Sequence, residues 1–293
     1  MKIGNFDTDL ASEQFKLMFD IRSIFKRRGR TVSEFENPNG LLFELTYDAV
    51  SKYYRKFNSS SFRKVLSTVS NIGRGLTMGE IRSECRGIST EKINKVLEEA
   101  IQLDLLKLSE KKYFPSRQAG FGPTFEWYVA NVCVYELSSI AYWGVKVQNL
   151  TGDYDVIVIR ENQVGYIECK SGKLGNIGQK EITNFLERER ILGPQFSIYL
   201  ADGISQESLK TLIEYAFEQK REYKFEIPGL MDTGISLETE MYKHFIRLTP
   251  INSFFVAVDG PLSSRLKEVY EFLTLVCDRP LITENVAPKA RFR

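Results

Sequence analysis

The chain has 293 residues, 43% of them hydrophobic and 27% charged, a balance that fits a globular protein and excludes a disordered or fibrous one. Its single histidine excludes chemistry needing several imidazoles, so any metal must be held mainly by oxygen ligands, the preference of Mg2+ or Mn2+. The formal net charge of +2 is uneven: residues 1–117 are net basic and the remainder mildly acidic, which suits a polyanion-gripping module joined to something else.

Four scattered cysteines without a CxxC pair indicate reduced thiols in a cytoplasm and no zinc site. No apolar run is long enough to cross a membrane, and MKIGNFDTDL lacks the pattern of a signal peptide. His244 is read as structural.

Residues 1–57 form an N-terminal helical region by their pattern. Phe15, Met18, Phe19, Ile24 and Phe25 follow helical spacing, RTVSEFENPNG interrupts it, and LLFELTYDAVSKYYRKF resumes. Lys26 to Arg30 is the densest basic run, read equally well as a solvated helix end or a phosphate contact.

In residues 58–117, SFRKVLSTVSNIG is a first helix, and Thr77 with Glu80 forms a capping box that opens a second. Ser89 caps a third, whose Ile93, Val96, Leu97, Ala100 and Ile101 make one apolar stripe. Its other face presents Lys92, Asn94 and Lys95 near the N-terminal end, and LLKLSEKKYFPS forms two short strands with Lys111 and Lys112 at the tip. This order resembles a winged helix-turn-helix, which implies DNA contact through those five residues; such modules also bind proteins. Arg63, Lys64, Arg74 and Arg82 add to the basic character.

Residues 118–293 alternate strands and helices, so an α/β fold is expected. The helix TFEWYVANVCVYELSSI carries Glu126 in an otherwise apolar stripe, a site for a ligand or for an acid serving the helix dipole. Then comes DYDVIVIRENQVGYIECKSGK, which reads as a buried hairpin yet carries Asp155, Glu168 and Lys170. With Glu161-Asn162 as the turn, Asp155 faces Glu168 and Lys170 shares that face. Two opposed carboxylates in an apolar setting repel, and a divalent cation removes the cost.

The arrangement Asp155…Glu168-Cys169-Lys170 resembles the PD-(D/E)XK nuclease superfamily, whose restriction-endonuclease-like fold is a mixed sheet flanked by helices. The resemblance implies that Asp155 and Glu168 ligate Mg2+ or Mn2+ with the main-chain carbonyl of Cys169, and that Lys170 positions the water. It extends to Glu126 on the preceding helix and Gln179 on the following one, with Thr183 where some members have Tyr. The usual Pro before the Asp is absent, and Asp153 competes for the ligand role. Lys173, just past the strand, is a further candidate contact to nucleic acid.

Joined, these readings describe a Mg2+-dependent DNA endonuclease in which a winged helix grips DNA. One site per chain implies a homodimer or two successive nicks for a double-strand cut. The alternatives are a ribonuclease or CRISPR-type effector nuclease, and a non-enzymatic DNA-binding regulator with a dimerising nuclease-like domain. No phosphate-binding loop appears, so any ATPase would be a separate protein partner.

Overall fold

The computed structural model describes residues 20–46, 48–71, 74–150, 152–171, 179–222, 238–249, 252–258 and 260–277. Its centre is an eight-stranded mixed sheet in the order β1-β5-β6-β7-β8-β11-β10-β9. These strands are β1 (Val32–Glu34), β5 (Ile140–Val147), β6 (Asp153–Arg160), β7 (Gln163–Ser171), β8 (Phe196–Asp202), β9 (Glu238–Met241), β10 (Phe245–Thr249) and β11 (Ser253–Val258). β7, β8 and β11 run parallel and the outer pairs are antiparallel. Every residue of β8 and β11 is buried, because helices cover both faces of a parallel centre.

One face carries α6 (Phe121–Tyr135) and α9 (Leu262–Cys277); the other carries α1 (Ile21–Arg27), α7 (Gln179–Leu192) and α8 (Gln206–Glu222). α6 is apolar nearly all round, with nine buried side chains, as a helix enclosed in a core must be. The expected α/β architecture of a mixed sheet flanked by helices is what the chain forms.

Between β1 and β5 lie α2 (Ala49–Phe57), α3 (Ser60–Asn71), β2 (Leu76–Thr77), α4 (Met78–Glu84), α5 (Thr90–Gln102), β3 (Leu106–Ser109) and β4 (Lys112–Pro115). The three short strands form a second sheet, β2-β4-β3. Thr77 and Glu80 close the capping box, and Ser89 accepts from the Lys92 amide at 3.3 Å. This helical segment shares a continuous core with one face of the large sheet, from Leu41 through Leu97 and Trp127 to Leu273.

Two sequence readings change here. RTVSEFENPNG was expected to do no more than break a helix, yet Val32–Glu34 within it pairs with β5 and forms one edge of the large sheet. Arg63 was counted among the basic groups facing nucleic acid, yet its side chain is 0% exposed. Its Nε and Nη2 donate to the two Asp202 carboxylate oxygens at 2.7 and 2.8 Å, and Nη1 donates to the Phe57 carbonyl at 2.7 Å. The fork thus bolts α3 to the end of β8.

The basic run near residue 28 is likewise engaged within the fold. Arg28 donates to the Gly193 carbonyl at 3.0 Å and Arg30 to that of Ile191, so both serve the open C-terminal end of α7.

Candidate active site

The hairpin β6–β7 turns at Glu161 and Asn162, whose φ values of 48° and 66° are both left-handed, as a two-residue type I′ turn requires. That turn fixes the register expected from the sequence: Arg160 faces Gln163, Ile159 faces Val164 and Val156 faces Ile167. Pairing of the two strands stops there. At the next step the Cys169 amide donates to the Asp155 carboxylate at 2.7 Å, so a side chain takes the place of a ladder bond and the strands fork.

The other neighbour of Asp155 explains the fork. Pairs Trp143–Val156 and Val145–Tyr154 flank Gly144, whose φ is +58°. Trp143 and Val156 pack into the core on one face, whereas Val145 and Tyr154, two residues along, pack into the core on the other. Strand alternation therefore inverts between Gly144 and Asp155, and the rule of two that placed Asp155 with Ile157 and Ile159 does not carry across it. A glycine in mid-strand also leaves a gap: a Cβ there would stand 3.8 Å from Glu126 Oε2, so the carboxylate of α6 reaches the fork.

Three acids now share one neighbourhood. Burial raises the Asp155 carboxyl well above the ordinary range, and the Glu168 and Glu126 charges raise it further. Burial, then Glu168 and Asp153, push Glu126 up to about 8. Glu168 is 2% exposed and accepts from Tyr166 Oη, from Arg188 Nη1 at 3.0 Å and from Lys170 Nζ at 2.7 Å. Lys170 also meets Glu181 Oε2 at 2.9 Å. Burial alone would lower the Lys170 pKa, but Glu168 and Glu181 outweigh it, and the ammonium holds its proton more firmly than usual.

The structure thus brings Asp155, Glu168, Lys170 and Glu126 within electrostatic reach of one another, with the Cys169 amide held by Asp155 and the Lys170 ammonium by Glu168. Asp153 is exposed and acts on Glu126 from the rim. The Gln179 side chain and Lys173 lie outside the described residues. Lys92, Asn94, Lys95, Lys111 and Lys112 are exposed on α5 and at the β3–β4 tip.

Sequence reasoning missed three members. Glu181 and Arg188 are seven apart on α7 and so share a helix face. Their facing charges around Ile182 and Phe185 were the available signal, but helix phase against a sheet is a tertiary fact. Tyr199 on β8 is beside Glu168 in register, and its buried hydroxyl has no hydrogen-bond partner among the described residues.

Among the described residues no three His, Cys, Asp or Glu side chains form a ready metal cage. The donor set still fits a small hard cation. Mg2+ is commonly bound through one or two carboxylates, with water and phosphate completing its shell.

No protein-family model matches the chain, and no curated protein matches it. Solved structures similar in fold include protein VC1899 from Vibrio cholerae, at 14% identity and a TM-score of 0.46, covering 87% of this chain and 60% of that one. Can2 from Sulfobacillus thermosulfidooxidans, solved in complex with cyclic tetra-adenylate, is similar at 12% identity and a TM-score of 0.45, covering 84% and 60%. The chain therefore spans about 60% of the length of either. No helix among the described residues is long and apolar enough to cross a membrane.

Proposed function

We propose that this chain is a metal-dependent nuclease of the PD-(D/E)XK type, with Asp155, Glu168 and the Cys169 carbonyl holding Mg2+ or Mn2+ and Lys170 serving the hydrolysis. The observation that carries the reading is the fork itself: Asp155 leaves the strand ladder just where Glu168, Glu126 and Lys170 converge. A divalent cation, when bound, supplies the missing positive charge and an acidified water.

The chain's own residues do the rest. Lys170, paired with Glu168 and Glu181, acts as an ammonium, and the attacking water's proton passes to bulk solvent. It donates hydrogen bonds, orienting the attacking oxygen and stabilising charge that develops on the phosphate. Glu181 holds that ammonium from outside and keeps it aimed at the fork. Glu126 is a further acid within reach of the same charge and would ionise once positive charge is added.

The substrate we propose is DNA. α3, α4, α5 and the β3–β4 hairpin supply a winged-helix module, with exposed Lys92, Asn94, Lys95, Lys111 and Lys112 as its phosphate and base contacts. One site per chain supports action as a homodimer on double strands.

The test is cleavage of plasmid, single-stranded DNA, a four-way junction and RNA, with Mg2+, Mn2+ or EDTA. The wild type cuts DNA with either metal, EDTA abolishes cutting, and the Lys170→Ala variant cuts far more slowly. Cleavage that survives EDTA contradicts the mechanism. Cleavage of RNA alone moves the substrate to the ribonuclease reading. Tight DNA binding without cleavage under every condition leaves a non-enzymatic regulator.

A further inference from the structure

Arg188 holds a position that the nuclease reading leaves unexplained. It projects from α7, and its Nη1 donates to both oxygens of Glu168, at 3.3 and 3.0 Å. Its positive charge also acts on Asp155 and Tyr166. The guanidinium therefore contacts one of the carboxylates assigned to the cation, Glu168. With Tyr166 and Lys170 added, both Glu168 oxygens are engaged. A divalent ion that coordinates Glu168 must take over one of these contacts.

The three donors differ in what they can yield. Tyr166 is fully buried and packs edge-on against Tyr154. Lys170 is tied to a second acid, Glu181. Arg188 is hydrogen-bonded to no second acid among the described residues, and its side chain is 28% exposed, so it has an open side toward solvent. The loop before β6 is shaped to admit it: at Gly152, φ +86°, an added Cβ would stand 2.8 Å from Arg188 Nη2. The positive φ favours glycine, and its missing Cβ leaves room for the guanidinium tip beside the backbone.

We infer that Arg188 is a resident stand-in for the metal. It neutralises Glu168 while the site is empty, gives way when Mg2+ or Mn2+ arrives, and then donates its fork to the substrate's phosphodiester. Guanidinium geometry suits both tasks, since carboxylate and phosphate present the same paired acceptors. The exchange keeps positive charge beside Glu168 at every stage, so a nearly buried carboxylate is never left unpaired. This inference rests on the nuclease reading and deepens it: it assigns a phosphate-binding residue and a competitor for the cation.

The experiment measures Mn2+ binding by electron paramagnetic resonance on the full chain without nucleic acid. Wild type, Arg188→Gln, Arg188→Lys and Glu168→Gln are compared, with folding checked by thermal melting. Removing the competitor tightens Mn2+ binding roughly tenfold in Arg188→Gln, the reverse of the loss that follows when a contact supporting a metal ligand is removed. Arg188→Lys falls between wild type and Arg188→Gln, and it keeps the assay decisive should Arg188→Gln fail to fold. In Ca2+, taken as a non-cleaving ion, wild type gains affinity for a DNA duplex relative to EDTA, and both Arg188 variants lose most of that gain. Mn2+ affinity unchanged or weakened in the variants, with wild type still binding and Glu168→Gln not, overturns the role of Arg188 alone. No Mn2+ binding by any form removes the metal reading and this inference together.

Discussion

Two clusters in this molecule contain the same chemistry, an arginine against carboxylates under the surface, and they do opposite things. At the end of β8, Arg63 meets Asp202 through two hydrogen bonds of 2.7 and 2.8 Å and spends its third donor on a main-chain carbonyl. Charge is matched one to one. At the fork of β6 and β7, Arg188 and Lys170 face Glu168, Asp155, Glu126 and Glu181. Acids outnumber bases, and burial, reinforced by the neighbouring acids, pushes two of the carboxyls up. A buried pair that balances is a joint; a cluster that does not balance is where the proposed cation would bind.

The largest effect should come from breaking the joint. Arg63→Ala leaves Asp202 buried and unpaired, and chemical denaturation should show a loss of about 3–5 kcal/mol. Replacing both partners with apolar residues of similar size should recover part of that loss. A small effect for Arg63→Ala would show that α3 is held to the sheet by apolar packing alone.

At the fork the same kind of deletion should act on rate instead. Lys170→Ala should lower cleavage by about 10²–10³-fold, comparable to losing one preorganised donor to a developing oxyanion, while the melting temperature changes little. A variant that loses stability and activity together would place Lys170 with Arg63 as a structural cation.

The hairpin's part in this contrast is legible in the sequence. Turn length sets the register, and the left-handed turn at Glu161-Asn162 realises it as far as Val156 and Ile167, one step short of Asp155 and Glu168. The inversion at Gly144 is not legible there, because a strand glycine signals a bulge without saying which face each flank then takes. Arg63 was misplaced for a related reason: its residue type suggests a solvated charge, and only the packing of α3 on β8 shows that it is enclosed. Glu181 and Arg188 were out of reach because helix phase against the sheet is set by contacts distant in sequence. The edge strand β1 was too short, at three residues, to show a period.

Metal addition sharpens the comparison further. A cation that binds only the folded chain should stabilise the wild type by about 2.7 kcal/mol at a hundred times its dissociation constant. Asp155→Asn and Glu168→Gln should lose that stabilisation, while the double apolar replacement at residues 63 and 202 keeps it. Equal stabilisation of all four proteins would place the cation elsewhere.

The smallest effect concerns a further acid, the half-buried Glu189, which is ion-paired to neither arginine nor lysine among the described residues. It accepts from the Ser253 hydroxyl at 2.6 Å, and burial raises its pKa to about 7. Its folded-state value lies above the unfolded one, so the native state binds the extra proton. Stability from this group is therefore full below about 4.5 and falls as pH rises to about 7. Glu189→Gln should flatten that fall by about 1–3 kcal/mol, read from melts across the window. An unchanged pH profile would show that water reaches this carboxyl.

The central claim, that the carboxylates of residues 155 and 168 share one divalent ion, is tested most directly by crystals soaked in Mn2+ and measured at the manganese absorption edge. The account predicts an anomalous peak between those two side chains, with Arg188 withdrawn from Glu168. Strong manganese peaks elsewhere and none at the fork would contradict it.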